Sequence, residues 1–411
     1  MKHCHSFIVL LFVFSFVFSF GKPPVRKVKL APPVITNSPL GTGMNYKINN
    51  GPSSALTFTV SGSALTGSIS VAAPTNYEIS LDGSAFQQSA ISLNTVGGTV
   101  NPTTIYVRLK AGLPVDVYNE QITLSSSGAT SVSVNCSGAV NPEILSVGGD
   151  GNYCTGASIK LTCNAVGATQ YFWKGPNNFT SNEQNPVLPN ATTAMTGTYT
   201  VVASTTSANN LVQNGDFEQG NVGFSSSYKY TSGFTTDLSQ TILYPNNYTV
   251  ATSAGKPWGV NLTSWFADCT DHTKGDGTGK MLCVNGGPKS DVEIWGTDVT
   301  VQPNMNYSLS YWVESFHLPN DPNPSILQLK LNGQPIGSPF TVNSNTCIWQ
   351  PFQYLATSTT ANIHLSLENM RTDNAGNDFS VDDISFKIIL YETKTVNVIV
   401  GSIRAHLNLF L

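Results

Sequence analysis

Charge is what this sequence has least of. Only 11% of its 411 residues are Asp, Glu, Lys or Arg, against roughly 25% in ordinary soluble domains. The net charge of −4 comes with no basic block and no acidic tail. Nothing here would grip a phosphate backbone, and nucleic acid is not expected as a partner. Catalytic signatures are also missing. His272, His317 and His364 share no metal-ligand spacing, and no nucleophile-elbow serine motif is present. Glu293, Glu314 and Glu368 could in principle pair for glycoside hydrolysis, but 24 acids supply such pairs by chance. A protein that is not an enzyme is expected, or the non-catalytic part of a larger one.

Long apolar runs are absent except at the start. Residues 7–20 are apolar with two serines, preceded by a short basic segment containing Lys2 and broken by Gly21-Lys-Pro-Pro. The run is shorter than the ~20 residues a spanning helix needs, so residues 1–21 read as a secretory signal peptide, cleaved between Ser19 and Lys22. No later stretch could span a bilayer. The expected location is extracellular or at the cell surface. Of seven cysteines, Cys4 would leave with the signal, and Cys136, Cys154, Cys163, Cys269, Cys283 and Cys347 remain. Export permits disulfides, but spacing does not give their connectivity. An extended strand over 158–163 would carry Cys163 beyond reach of Cys154.

What the chain has instead is Ser, Thr, Asn and Gly between short alternating runs, which favours strands and turns. Residues 22–33 read as a linker. Runs at 56–60, 67–72, 77–81, 104–109, 120–124 and 130–136, punctuated by Asp82-Gly83, Gly97-Gly98 and Asn101-Pro102, predict an Ig-like β-sandwich over 34–141. Cys136 shares the inward phase of Val132 and Val134 and reads as a buried hydrophobe. Over 142–206 a strand cysteine, Cys163, is followed ten residues later by Trp173 and then by Tyr199 near a final strand. That order is similar to an immunoglobulin core. Val201 stands where the second cysteine would be, so Cys163 is expected to pack reduced against Trp173.

Residues 207–390 carry strand patterns at 279–284, 292–295, 298–301, 306–313, 326–331, 352–355 and 361–367. This predicts a jelly roll, bracketed by carboxylate-bearing runs at 210–220 and 378–386. The bracket can bring Asp216 or Glu218 beside Asp382 or Asp383, an oxygen-rich setting suited to calcium. Period-two phasing puts Leu309, Tyr311, Val313, Leu327, Leu329, Leu331, Ile363, Leu365 and Leu367 in the core. Trp312, Glu314, Gln328, Lys330 and His364 then face outward. If the three strands share a sheet, an indole is ringed by hydrogen-bonding groups, which sugar binding requires. Trp258, Trp265 and Trp295 could form a rim site instead. One more strand is expected at 394–400, in a 391–411 tail that reads as a linker entering a further domain, as though the chain were truncated.

Asn214-Gly-Asp-Phe-Glu218, the segment from Asp271 to Leu282, Tyr307-Ser-Leu-Ser-Tyr-Trp312, Leu331-Asn-Gly333, Cys347-Ile-Trp-Gln350 and the run from Asp378 to Phe386 resemble galactose-binding-like jelly-roll carbohydrate-binding modules of secreted Bacteroidetes proteins. Trp173-Lys-Gly-Pro-Asn-Asn-Phe-Thr180 and Tyr199 resemble the Ig-like repeats beside them, and Asn76 to Asp82 a further sandwich of such proteins. The resemblance implies a structural calcium held by Glu218, Asp382 and oxygens near Asp271 to Lys280. The combined expectation is all-β: two Ig-like modules followed by a galactose-binding-like jelly roll. Its function would be to bind a polysaccharide or glycoconjugate as a monomer, with the Ig-like modules as spacers. The alternative is a structural spacer or surface adhesin that binds protein partners.

Overall fold

A computed structural model describes residues 31–232, 243, 245–253 and 266–401. The apolar start, Trp258 and Trp265 lie outside these residues. The described chain is all-β, with a single short 3-10 turn at Thr193–Met195. No helix among the described residues is long and apolar enough to cross a membrane.

The first sandwich packs a four-stranded sheet, which includes Leu56–Ser63 and Val100–Leu109, on a five-stranded sheet built around Asp116–Ser125 and Val132–Asn141. Alternation puts Phe58, Val60, Ile105, Val107, Ile122 and Val134 in one core, and Cys136 joins them as a free, buried thiol. Burial pushes that thiol up to about 12, so it stays protonated and behaves as an apolar group.

In the second sandwich Cys163 and Trp173 share a core with Tyr199 and Val201. Cys163 is free and buried, as expected, and Cys154 is free and exposed. The indole N–H of Trp173 donates to the Gln184 carbonyl at 3.2 Å, and the Tyr199 hydroxyl donates to the Met195 carbonyl at 2.9 Å. The polar ends of both large side chains are thereby satisfied inside the core.

The tail expectation is corrected by the final strand. Asp378–Gly401 is one continuous strand. Its second half pairs antiparallel with Gly197–Thr206 from Ile389 to Val398, and Val396, Val398 and Val400 complete the second sandwich's core. Residues up to Gly401 therefore belong to a sandwich that began before the jelly roll, and the jelly roll is inserted between two of its neighbouring strands. At the junction the Glu392 carboxylate pairs with Lys47 of the first sandwich and accepts from the Ile144 amide of the second.

The jelly roll has two sheets. One holds Gln350–Thr357, Asn306–Ser315, the first half of the long strand, Met281–Asn285 and Asn247–Ala251; the other holds Val292–Thr300, Asn362–Asn369, Ile326–Leu331 and Gln334–Thr341. Between them Leu309, Tyr311, Val313, Leu327, Leu329, Ile363, Leu365 and Leu367 are buried in one cluster, with Leu331 partly buried at its edge.

Candidate functional site

The open face belongs to the sheet that contains Trp312. On Asn306–Ser315, Leu309, Tyr311 and Val313 enter the core, so Ser308, Ser310, Trp312 and Glu314 take the opposite face. Register sets Trp312 between Pro351 and Asp382, and Ser310 between Gln353 and Ser385. The Gln353 amide donates to the Ser308 hydroxyl at 2.8 Å. Trp312 lines a cleft of about 270 Å³ with Ser308, Ser310, Gln353, Ser385 and Lys387.

The indole is held in place by a loop. His272 stacks on Trp312 with ring centroids 3.8 Å apart and planes 18° from parallel, and Trp349 meets the same imidazole edge-on. Two anchors fix His272. Its Nδ1 lies 2.6 Å from Asp383 Oδ2, and its backbone N–H donates to Asp382 Oδ2 at 2.8 Å. Thr273 adds a backbone bond to Asp382 and a hydroxyl bond to Asp383. A disulfide joins Cys269 to Cys347, and the Trp349 indole N–H donates to the Thr270 carbonyl at 3.1 Å. The platform is thus tied on both sides before any ligand arrives, which lowers the ordering cost of binding.

The expected ligand face divides in two. Trp312 lies in one sheet, whereas Gln328, Lys330 and His364 lie in the other, so the single-sheet condition fails. Period two fixes which face a side chain takes but not which sheet its strand joins. Gln328 is buried, and its amide donates to the Leu329 and Ile336 carbonyls. Lys330 pairs with Glu368 at 2.5 Å. His364 sits between Glu293 and Asp298, at 2.9 and 2.8 Å, and the Glu293 bond above all raises its pKa. Glu293 and Glu368 are direct cross-strand neighbours, and Glu314 is on the other sheet, so these three acids do not flank a common cleft.

Trp295 is fully buried in the core and forms no rim. A register shift between Glu293 and Trp295 turns both Ile294 and Trp295 inward. Glu314 faces the predicted side but is only 1% exposed. Its carboxylate lies within 4.8 Å of the Cys269 and Cys347 sulfurs, and neither oxygen has a hydrogen-bond partner. Burial, with the Asp382 charge adding, pushes it up to about 9. Those sulfurs are joined to each other and are not thiolate ligands for a metal.

The four expected cation ligands are partly assembled. Glu218 and Asp271 converge on Gly279: a Cβ there would lie 2.1 Å from Asp271 Oδ2 and 2.7 Å from Glu218 Oε1. Glu218 Oε1 accepts from the Lys280 amide at 2.8 Å, and Oε2 pairs with Lys274 at 2.5 Å. Burial works against ionisation of Glu218, but these bonds hold its carboxyl below the usual range. Asp271 is 1% exposed, and its Oδ1 is buried without a partner. An oxygen left so is what a hard cation would complete, and the two carboxylates fit that role. Asp382 is turned to the amides of His272, Thr273 and Asp383. Asp216 accepts from the Glu218 amide at 3.4 Å, a turn contact.

His272 was missing from the expected site. No local pattern announces it: Asp382 and Asp383 both reach His272 only because a bulge puts their two carboxylates on the same side of the strand, and the loop that carries His272 is distant in sequence.

No protein family and no curated protein matches the chain. Solved structures similar to it include the CBM22-1 xylan-binding domain of Paenibacillus barcinonensis Xyn10C, at 13% identity over 42% of this chain and 90% of that one, TM-score 0.27. A family 16 carbohydrate-binding module is 20% identical over 43% of this chain and 99% of that one, TM-score 0.24. The two-Ig fragment of DIP-gamma is 14% identical over 42% and 90%, TM-score 0.21. At these values the likeness carries no statement about a ligand of this chain.

Proposed function

We propose that this chain is an exported, non-catalytic glycan-binding protein whose site is the open face around Trp312. One observation carries the reading: a partly exposed indole, stacked on one side by His272, borders a shallow cleft whose polar groups are hydroxyls, two glutamine amides and one lysine. Sugars need a flat apolar surface for their C–H faces and directional partners for their hydroxyls, and this face offers both. A calcium ion held by Glu218 and Asp271 would be structural. It would fasten the loop that carries His272 to the start of the jelly roll, outside the ligand cleft. The two Ig-like sandwiches hold and space the site.

A glycan array probed with the full chain, with and without a calcium chelator, tests the reading. Retention of one polysaccharide class is expected, weakened by the chelator. No retention in either condition would sink it.

A further inference from the structure

We propose that the binding face continues beyond the jelly roll onto the second Ig-like sandwich, so that its ligand is a long neutral glycan chain lying across both. This extends the glycan reading above and rests on it. The long strand joins the two sandwiches. After the bulge at Asp383, its even residues fill both cores: Ile384, Phe386, Ile388 and Leu390 in the jelly roll, then Val396, Val398 and Val400 in the Ig-like sandwich. The odd residues Ser385, Lys387, Ile389 and Tyr391 must therefore all lie on one uninterrupted outer face.

Register extends that face sideways on both sides. Lys387 is level with Ser308, which is level with Leu355. Tyr391 is level with Ser204, which is level with Gln170. A second cleft of about 750 Å³ follows this path, with Phe172, Gln170, Ser204, Asn306, Leu355 and Tyr391 among its walls. It shares Gln170 and Gln353 with the Trp312 cleft, so the two adjoin.

The chemistry of the walls selects the occupant. Phe172 and Tyr391 are 43% and 46% exposed, and around them the amides and hydroxyls of Gln170, Asn182, Ser204, Asn306 and Gln353 alternate with the aliphatic Val202, Leu355 and Ile389. Lys387 is the only charged side chain that lines either cleft among the described residues. Aromatic faces interleaved with neutral hydrogen-bonding groups suit a polyol chain and give no purchase to a polyanion. From Asp382, level with Trp312, to Tyr391 the strand covers about 30 Å. That length calls for a polysaccharide rather than a single sugar. Because one unbroken strand carries both halves, they present a fixed span.

The test measures affinity of the full chain for ladders of neutral linear oligosaccharides of the cello-, xylo-, manno- and galacto-series, from the dimer upward. Phe172→Ala and Tyr391→Ala are compared with Trp312→Ala. Affinity should climb with chain length in the wild type. The Phe172 and Tyr391 variants should lose about five- to tenfold for long chains and nothing for short ones, while Trp312→Ala weakens both. If only Trp312→Ala has an effect, the glycan reading stands and the extension falls. If no ladder binds, both fall. A concentration-dependent dimer abolished by Tyr391→Ala would make this face a self-association surface and overturn the proposal.

Discussion

Asp382 and Asp383 are adjacent in sequence and lie on opposite sides of a phase change. Up to Asp382 the odd residues Phe379 and Val381 face the core; from Ile384 onward the even residues do. Asp383 takes up the extra residue with φ near 50°, a conformation Asp tolerates better than most side chains. The bulge lets the outer face hold His272 through two carboxylates in succession. Burial, with the Asp383 charge adding, pushes Asp382 up to about 7, and Glu314 reaches about 9. The folded chain thus retains protons that the unfolded chain releases near ordinary carboxylate values. Stability is expected to fall as pH rises, through Asp382 between about 4 and 7 and through Glu314 between about 4.5 and 9, by up to about 1.4 kcal/mol per pH unit for each group within its own window. Glu314→Gln should flatten this decline in melting-temperature profiles, and profiles that remain parallel would contradict the assignment. At Gly279 a methyl group would collide with both Asp271 and Glu218. Gly279→Ala should cost about 1–3 kcal/mol and abolish the gap in melting temperature between calcium and chelator. No gap in the wild type would remove the cation. Glu218 lies in a turn and not on the expected strand run, so its meeting with Asp271 was not readable from alternation. Trp295 was misread because a bulge is invisible to strict alternation.

At the scale of elements, the long strand decides the architecture. Its alternation over 394–400 was plain in the sequence, but its partner was not. The Gly197–Thr206 strand that it pairs with is separated from it by the whole jelly roll, and hydrophobic pattern carries no information on pairing across such a distance. The same limit split the expected ligand face, since Trp312 and His364 have equivalent phases on strands of different sheets. Ending the chain before Glu392 would remove Val396, Val398 and Val400 from the second core. Burial of each is worth about 1.5–3 kcal/mol, and the pairing with Gly197–Thr206 would go with them. Calorimetry of the truncated chain should lose the transition of the second sandwich, with exposed apolar surface that binds a hydrophobic dye. An unchanged trace would show that this strand is dispensable.

For the molecule as a whole, low charge and short alternating runs were enough to make the all-β fold readable, because each strand buries one face and its turns are marked by Gly, Asn and Pro. The core rows of the jelly roll were legible for the same reason. The platform was legible only in its indole: Trp312 stood out by phase, while His272, the disulfide and the Ig-like continuation depend on contacts between distant segments. In the proposed function Trp312 is the centre of the glycan site. Titration calorimetry with the polysaccharide retained on the array, for wild type and Trp312→Ala, tests this most directly when paired with melting curves. Trp312→Ala should lose at least tenfold in affinity, about 1.4 kcal/mol, at a melting temperature close to the wild type. Equal affinity in a folded Trp312→Ala variant would contradict it.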